Sequence, residues 1–311
     1  MERRQPAAWS AHYPIGISTA APATGGQRVT LLAIPYPNID PVAISIGPLS
    51  VKWYGLAYMA GLLIGWWYVK RLVSTDRLWR NNTSPFSAAM MDDVLLVVTL
   101  GVVVGGRLGH VLFYEPTYYL SHPVEILKIW QGGMAFHGGA LGVTIAMWLF
   151  SIWRRISMHS LADVVTAAVP IGLFFGRIAN FINSEVVGTP SNVPWAIVFP
   201  GYGPESRHPA MLYEAALEGA VLFVILAWLI WKRGSLKMPG FTVGMFLAGY
   251  GVFRMFCELF KIEEYGLPFE GVPITRGMLY SIPMVLLGAF LMWRAKVVAA
   301  REATASSTAM R

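Results

Sequence analysis

The sequence predicts an all-α polytopic membrane protein with seven transmembrane helices, and three observations carry that prediction. Of its 311 residues, 55% are apolar and only 13% are charged, about half the ~25% of soluble domains. Seven stretches approach the roughly 20 apolar residues that a helix needs to cross a ~30 Å hydrocarbon core. Lys and Arg also alternate between loops in the manner of a chain threaded through a bilayer. A single Cys excludes a disulfide-stapled fold. The net charge of +7 is spread over short loops rather than gathered on one face, so no nucleic-acid partner is expected.

The spans are expected at about Val51–Val69, Val94–Tyr114, Met134–Trp153, Ala162–Ile182, Leu212–Trp231, Phe241–Phe260 and Gly277–Trp293. Short connections punctuate them, with breakers at Pro85, Pro116, Pro123, Pro239 and Pro268. Residues 1–30 read as a disordered extension rich in Ala, Pro and Gly. Residues 31–296 form the membrane domain, and residues 297–311 a cytoplasmic tail. The longest connection, Asn183–Met211, is expected on the membrane surface.

Orientation follows from the positive-inside rule. One set of loops carries Lys70, Arg71, Arg77, Arg80, Arg154, Arg155, Lys232, Arg233 and Lys237, and the tail adds Arg294, Lys296, Arg301 and Arg311. The alternate loops hold Lys128, Arg207, Lys261 and Arg276. The N-terminus is therefore expected outside and the C-terminus in the cytoplasm. Gly61 and Gly65, and Gly101, Gly105 and Gly109, form G-x-x-x-G faces suited to close helix packing.

Ionisable residues inside the spans stand apart from this scaffold. They are Arg107, His110, His137, Arg177, Arg254 and Glu258, accompanied by polar Tyr54, Asn180 and Tyr250. On insertion scales a central Arg costs about 2.5–3.5 kcal/mol. At 1.5 Å per residue, the set falls within roughly 10 Å of the outer interface. Arg254 and Glu258 form an i, i+4 pair, whereas Arg107 and Arg177 have no acid one turn away in their own spans. Unpaired guanidinium groups at this depth call for an anion, and their fork suits a phosphate, here that of an outer-leaflet phospholipid. A transporter of anions or lipids is the competing class. It would show polar inner halves and broken helices in corresponding repeats, and neither is visible. The His residues lack Cys or carboxylate partners at ligand spacing, so no metal is expected.

The densest motif is Gly176-Arg177-Ile178-Ala179-Asn180-Phe181-Ile182-Asn183-Ser184-Glu185-Val186-Val187-Gly188. If the helix persists, Arg177, Asn180 and Glu185 share a face and Gly188 is free to turn the chain. His137-Gly138-Gly139 and Arg207-His208-Pro209 with Tyr213-Glu214 form two further clusters, the second in a basic loop suited to covering a site.

Together these segments resemble the prolipoprotein diacylglyceryl transferase family. The match to G-R-x-[GA]-N-F-x-N-x-E-x-x-G is complete at residues 176–188. Trp53-Tyr54-Gly55, Gly105-Gly106-Arg107-Leu108-Gly109 and Gly249-Tyr250-Gly251-Val252-Phe253-Arg254 with Glu258 extend it over about residues 31–296. Lys52 stands where family members often carry His. The resemblance implies an inner-membrane enzyme of bacterial lipoprotein biosynthesis, without a cofactor and with its site near the periplasmic side. It would move diacylglyceryl from phosphatidylglycerol to the lipobox Cys thiol of a prolipoprotein, forming a thioether and releasing glycerol 1-phosphate. His137, Arg254 and Tyr54 are the implied catalytic residues. Arg177, Asn180, Tyr250, Glu185, Gly188, Glu258 and Arg107 would bind the lipid, and Arg207 and His208 would gate entry. Thiol activation is left between His137 as base and the field of Arg254, His137 otherwise orienting the headgroup. Cys257 is expected to be packing.

Overall fold

In the computed structural model, residues 34–37, 39–47, 49–262 and 274–309 are described. The expected extension over residues 1–30 lies outside the described residues. Helices occupy all seven expected stretches. They are α1 (Trp53–Val73), α2 (Met90–Phe113), α4 (Phe136–Arg154), α5 (Met158–Thr166) continued by α6 (Val169–Ile182), α7 (Ala210–Arg233), α8 (Phe241–Glu258) and α9 (Arg276–Ala309). Five of them are long and apolar enough to cross a membrane: α2, α4, the α5–α6 pair, α7 and α9 as far as Glu302. A short helix α3 (Pro116–Ser121) opens with proline, whose fixed φ suits a first turn.

Two elements depart from the simple span pattern. The fourth span is broken at Ala167–Ala168 because Pro170 offers no N–H to the carbonyl four residues earlier and crowds it. Just before the break, the Thr166 hydroxyl donates 2.6 Å to the Ala162 carbonyl. Within α7, Ala215–Val221 is a π-helical segment, a widened turn of the kind often found at functional sites. Residues 297–309 continue α9 as helix.

The backbone approaches anticipated from the glycine spacing are realised between α2 and α4. A Cβ on Gly105 would run into the Gly138 carbonyl oxygen, and one on Gly109 would lie 2.7 Å from Gly138 Cα. Gly61 similarly faces Gly172 on α6, with 3.1 Å to its Cα. In lipid, where no hydrophobic force separates helix from tail, close van der Waals packing of this kind holds helices together. Large apolar side chains such as Trp67, Leu96, Trp148, Leu286 and Trp293 remain exposed on the outer helix faces. A soluble chain would bury such a surface; here it faces lipid.

The apolar core is concentrated at the end of the bundle next to the Arg71–Arg80 loop, where Leu72, Trp79, Met91, Phe150, Leu161 and Leu236 are buried together. The opposite end is built differently. A hairpin pairs β2 (Val42–Ile46) with β3 (Leu49–Lys52), leading directly into α1. The connection between α6 and α7 contributes β4 (Ile197–Val198) and β5 (Ser206–Arg207), and β1 (Ile34–Pro35) lies parallel to β4. Tyr36, beside β1, places its hydroxyl 2.9 and 2.7 Å from the carbonyl oxygens of Phe181 and Ile182. It thereby satisfies an open helix end and fixes the segment bearing Arg177 and Asn180.

Replacing Gly105 with Val is expected to cost at least the ~1–3 kcal/mol typical of overpacking, because the obstruction is backbone. Thermal unfolding in detergent checks this; an unchanged midpoint would contradict the packing assignment.

Candidate active site

Arg177 of α6, Glu214 and Glu218 of α7, and Arg254 and Glu258 of α8 meet in one cluster, joined by Lys261 just beyond α8. Glu214 is its centre. Its carboxylate pairs with Arg177 Nε at 3.1 Å and Lys261 Nζ at 3.4 Å, and accepts a hydrogen bond from Arg254 Nη1. Arg254 Nε also lies 3.2 Å from Glu258, as the i, i+4 spacing predicts. Glu218 stands farther back, 3.9 Å from Arg177 and 4.0 Å from Arg254. Both α7 carboxylates have no solvent exposure, whereas the two arginine side chains retain 20%. The acids are therefore buried more deeply than the arginines that pair with them.

This arrangement corrects the expectation of unpaired arginines. Arg177 has acidic partners, but they come from another helix 37 and 41 positions along the chain. Glu214 enters the sequence reading only as part of the loop cluster, and Glu218 does not enter it. A signal for both was present, since two carboxylates spaced i, i+4 in the apolar stretch Leu212–Trp231 are themselves anomalous in a membrane.

The exit of α6 is folded back on the cluster. Arg177 Nη1 donates to Asn180 Oδ1 at 3.4 Å, and Asn180 Nδ2 donates to Glu185 Oε2 at 2.8 Å. Glu185 reaches Asn180 through a turn rather than along a continuing helix, which ends at Ile182. Ser184 and Val186, with φ of 55° and 59°, make that turn. Gly188 has a different task from the expected one. It pairs as a β-bridge with Lys261, and a Cβ there would lie 2.5 Å from the Phe260 carbonyl oxygen and 2.6 Å from that of His208. Glycine is required for this approach, and through it the α6 exit and the end of α8 are held side by side.

Tyr54, at the start of α1, has its hydroxyl 3.2 Å from that of Tyr58, and Glu185 and Arg177 are near enough to act on it electrostatically. Tyr250 stacks on Phe246 with centroids 5.8 Å apart, within electrostatic reach of Glu214, Glu218, Arg177 and Arg254. Cys257 is fully buried. His137 is exposed at the α4 start, 6.3 Å from the Tyr280 ring and 5.6 Å from that of Phe136. Among the described residues no hydrogen bond or ion pair ties it to the arginines.

Arg107 is a second correction. Its guanidinium donates to the carbonyl oxygens of Ile126 at 2.9 Å, Gly132 at 2.6 Å and Glu125 at 2.6 Å, and lies over the Tyr119 ring at 5.1 Å. Its donors are taken by backbone, so it anchors the segment between α3 and α4 instead of waiting for an anion. The segment bearing Arg207 and His208 is tied to its neighbours by backbone pairing. Arg207 sits in β5 with its backbone paired to Ile197, and His208 exchanges backbone hydrogen bonds with Gly188 and Thr189. His208 Nδ1 is 3.0 Å from the Tyr213 hydroxyl. A cavity of about 560 Å³ lies beside them, bordered by Thr189, Arg207, Glu258, Lys261, Thr275 and Met278 among others. Glu258 and Lys261 belong to both cavity and cluster, so the charged site adjoins open space.

A sequence profile of the prolipoprotein diacylglyceryl transferases matches residues 41–294. The chain belongs to that family. Its relatives include the phosphatidylglycerol–prolipoprotein diacylglyceryl transferase of Rhizobium meliloti (strain 1021), 52% identical over 271 residues, 87% of this chain and 97% of that protein. The proteins of the same name from Brucella anthropi and Brucella canis are 50% and 52% identical over 272 and 273 residues, with the same shares covered. The chain is accordingly a transferase of lipoprotein biosynthesis.

Gly188→Ala is expected to displace the α6 exit and lower transferase activity at least tenfold, read by product formation at equal folded protein. Activity equal to that of the unaltered chain would contradict the close-approach role. Burial lowers the His208 imidazole from its ordinary range, so folding favours its neutral form. The stability it contributes is present above the ordinary value of about 6.5 and declines as pH falls through it. An NMR titration midpoint for His208 at or above 6.5 would contradict this.

Proposed function

We propose that Arg177 and Arg254 receive the phosphodiester of phosphatidylglycerol, and that the lipobox thiol of a prolipoprotein attacks the glycerol carbon bearing it. The observation carrying this reading is that two guanidinium groups from different helices converge on one buried carboxylate, Glu214, while their side chains keep 20% exposure. A diester offers each a bidentate partner. On this reading the chain crosses the bacterial inner membrane seven times, N-terminus outside and C-terminus in the cytoplasm, with the cluster near the periplasmic interface.

The chemistry assigns work to these groups. The thiol loses its proton, a new C–S bond forms, and the C–O bond to phosphorus breaks as glycerol 1-phosphate departs. The phosphate goes from one negative charge towards two. Preorganised donors aimed at developing charge accelerate such a step, and Arg177 and Arg254 supply them. Glu214 fixes both guanidinium groups, Glu258 orients Arg254, and the Asn180–Glu185 pair shapes the neighbouring wall. The nucleophile belongs to the substrate, so the enzyme needs no Ser or Cys of its own. A thiol with a reference pKa of ~8.5 needs help to ionise near neutrality. His137 is proposed as its base, with the field of Arg254 as the other route. Tyr54 and Tyr250 complete the headgroup surroundings, and Arg207 with His208 borders the entry. Arg107 supports the fold from outside this set.

The test uses purified protein in detergent, phosphatidylglycerol and a lipobox peptide carrying Cys or Ser at the acceptor position. Glycerol phosphate release is expected only with lipid and the Cys peptide together. Release without peptide would indicate lipid hydrolysis, and no release from folded, lipid-bound protein would favour transport. Arg177→Ala and Arg254→Ala are expected to lower the rate by about 10²–10³-fold; an active Arg177→Ala enzyme would refute its role. If His137 is the base, His137→Gln loses rate at neutral pH and recovers it as the thiol ionises unaided near 8.5. A loss that is the same at every pH would remove the base role.

A further inference from the structure

Glu218 is a buried carboxylate that the transfer reaction, as described, does not use. It has no solvent exposure, and among the described residues neither of its oxygens accepts a hydrogen bond. Its nearest cations, Arg177 and Arg254, stand 3.9 and 4.0 Å away. Glu214, one turn earlier on the same helix, takes the closer pairings with both arginines and with Lys261. The groups facing Glu218 are Arg177 from α6, Glu214 from its own helix, Tyr250, Arg254 and Cys257 from α8, and Lys261 beyond it.

The charge count of the cluster is the starting point. Three cations, Arg177, Arg254 and Lys261, face three carboxylates, Glu214, Glu218 and Glu258. Taken by themselves, these six groups sum to zero charge when all are ionised, with Glu185 a further carboxylate behind Asn180. A bound phosphodiester adds one negative charge to a site walled by apolar helices, where an uncompensated charge is costly. The least costly way to restore neutrality is to protonate the carboxylate with the fewest hydrogen bonds to lose. Glu258 keeps Arg254 at 3.2 Å, and Glu214 keeps its three cationic partners. Only Glu218 lacks a close one.

We propose that Glu218 is a positioning residue for the lipid, a proton-accepting counter-charge that takes up one proton when the phosphodiester binds. This rests on the reading of Arg177 and Arg254 as the phosphate site. The uptake balances simply: one proton from solvent converts the carboxylate to a carboxylic acid, and no bond of the lipid changes. By holding the floor of the site neutral, Glu218 leaves both guanidinium groups free to address the phosphate.

The experiment is calorimetric titration of the full chain in non-ionic detergent with dihexanoyl phosphatidylglycerol, in buffers of different ionisation enthalpy and over a range of pH. The diester does not titrate near neutrality, so the buffer dependence counts protons gained by the protein. About one proton per lipid is expected, with affinity falling about tenfold per pH unit over the range of uptake. Glu218→Gln mimics the protonated form; it is expected to bind without that uptake and with a flat pH profile, whereas Glu218→Asp retains the uptake. Wild-type binding without proton uptake would overturn the inference, and so would unchanged uptake in a folded Gln variant. If the Gln variant does not fold, the wild-type count and the Asp variant decide. Arg177→Ala separates the two levels of the argument. Undiminished binding there refutes the phosphate site itself, whereas Arg177-dependent binding with no proton uptake refutes only the role of Glu218.

Discussion

The site depends on one interaction, the convergence of Arg177 and Arg254 on the buried carboxylate of Glu214. Two like charges brought together in an apolar bundle repel and lose hydration, and neither is tolerable there without a counter-charge. Glu214 satisfies both at once and so dictates that α6, α7 and α8 meet at this level. A buried ion-pair network is weak evidence for a more stable fold, and its retention here reflects the orientation it imposes. The guanidinium groups are both held by Glu214, and their side chains keep 20% exposure.

The rest of the architecture holds that meeting point still. Gly105 and Gly109 against Gly138, and Gly61 against Gly172, bring helix backbones together without intervening side chains. Gly188 does the same for the α6 exit and the end of α8, and Tyr36 closes the carbonyl end of α6. Arg107 ties the α3–α4 segment to α2 through backbone carbonyls. One arginine's donors are thus taken up by backbone carbonyl groups, whereas the other two meet on a buried carboxylate.

Much of this was legible in the sequence, for reasons that can be stated residue by residue. The helices follow from apolar run length, the α2 glycine face from its four-residue spacing, and the Arg254–Glu258 pair from i, i+4 geometry. Burial of Cys257 follows from its apolar span. Most hidden features depended on contacts across the chain. The partners of Arg177 lie on α7, and those of Arg107 are carbonyl groups that no side-chain pattern encodes. The strands at residues 34–52 and 197–207 are too short for an alternation signal, and the break at Ala167–Ala168 follows from Pro170, which falls inside the expected span Ala162–Ile182. Glu218 was visible as an acid in an apolar run, but its place behind both arginines emerges only from packing.

The central claim is that the two arginines held by Glu214 form the phosphate site. The most direct measurement is an experimental structure of the chain with phosphatidylglycerol bound. The account predicts phosphate oxygens at about 2.7–2.9 Å from nitrogen atoms of both Arg177 and Arg254, with Glu214 still contacting each guanidinium from the buried side. A headgroup density away from these residues, or one contacted by neither arginine, would contradict it.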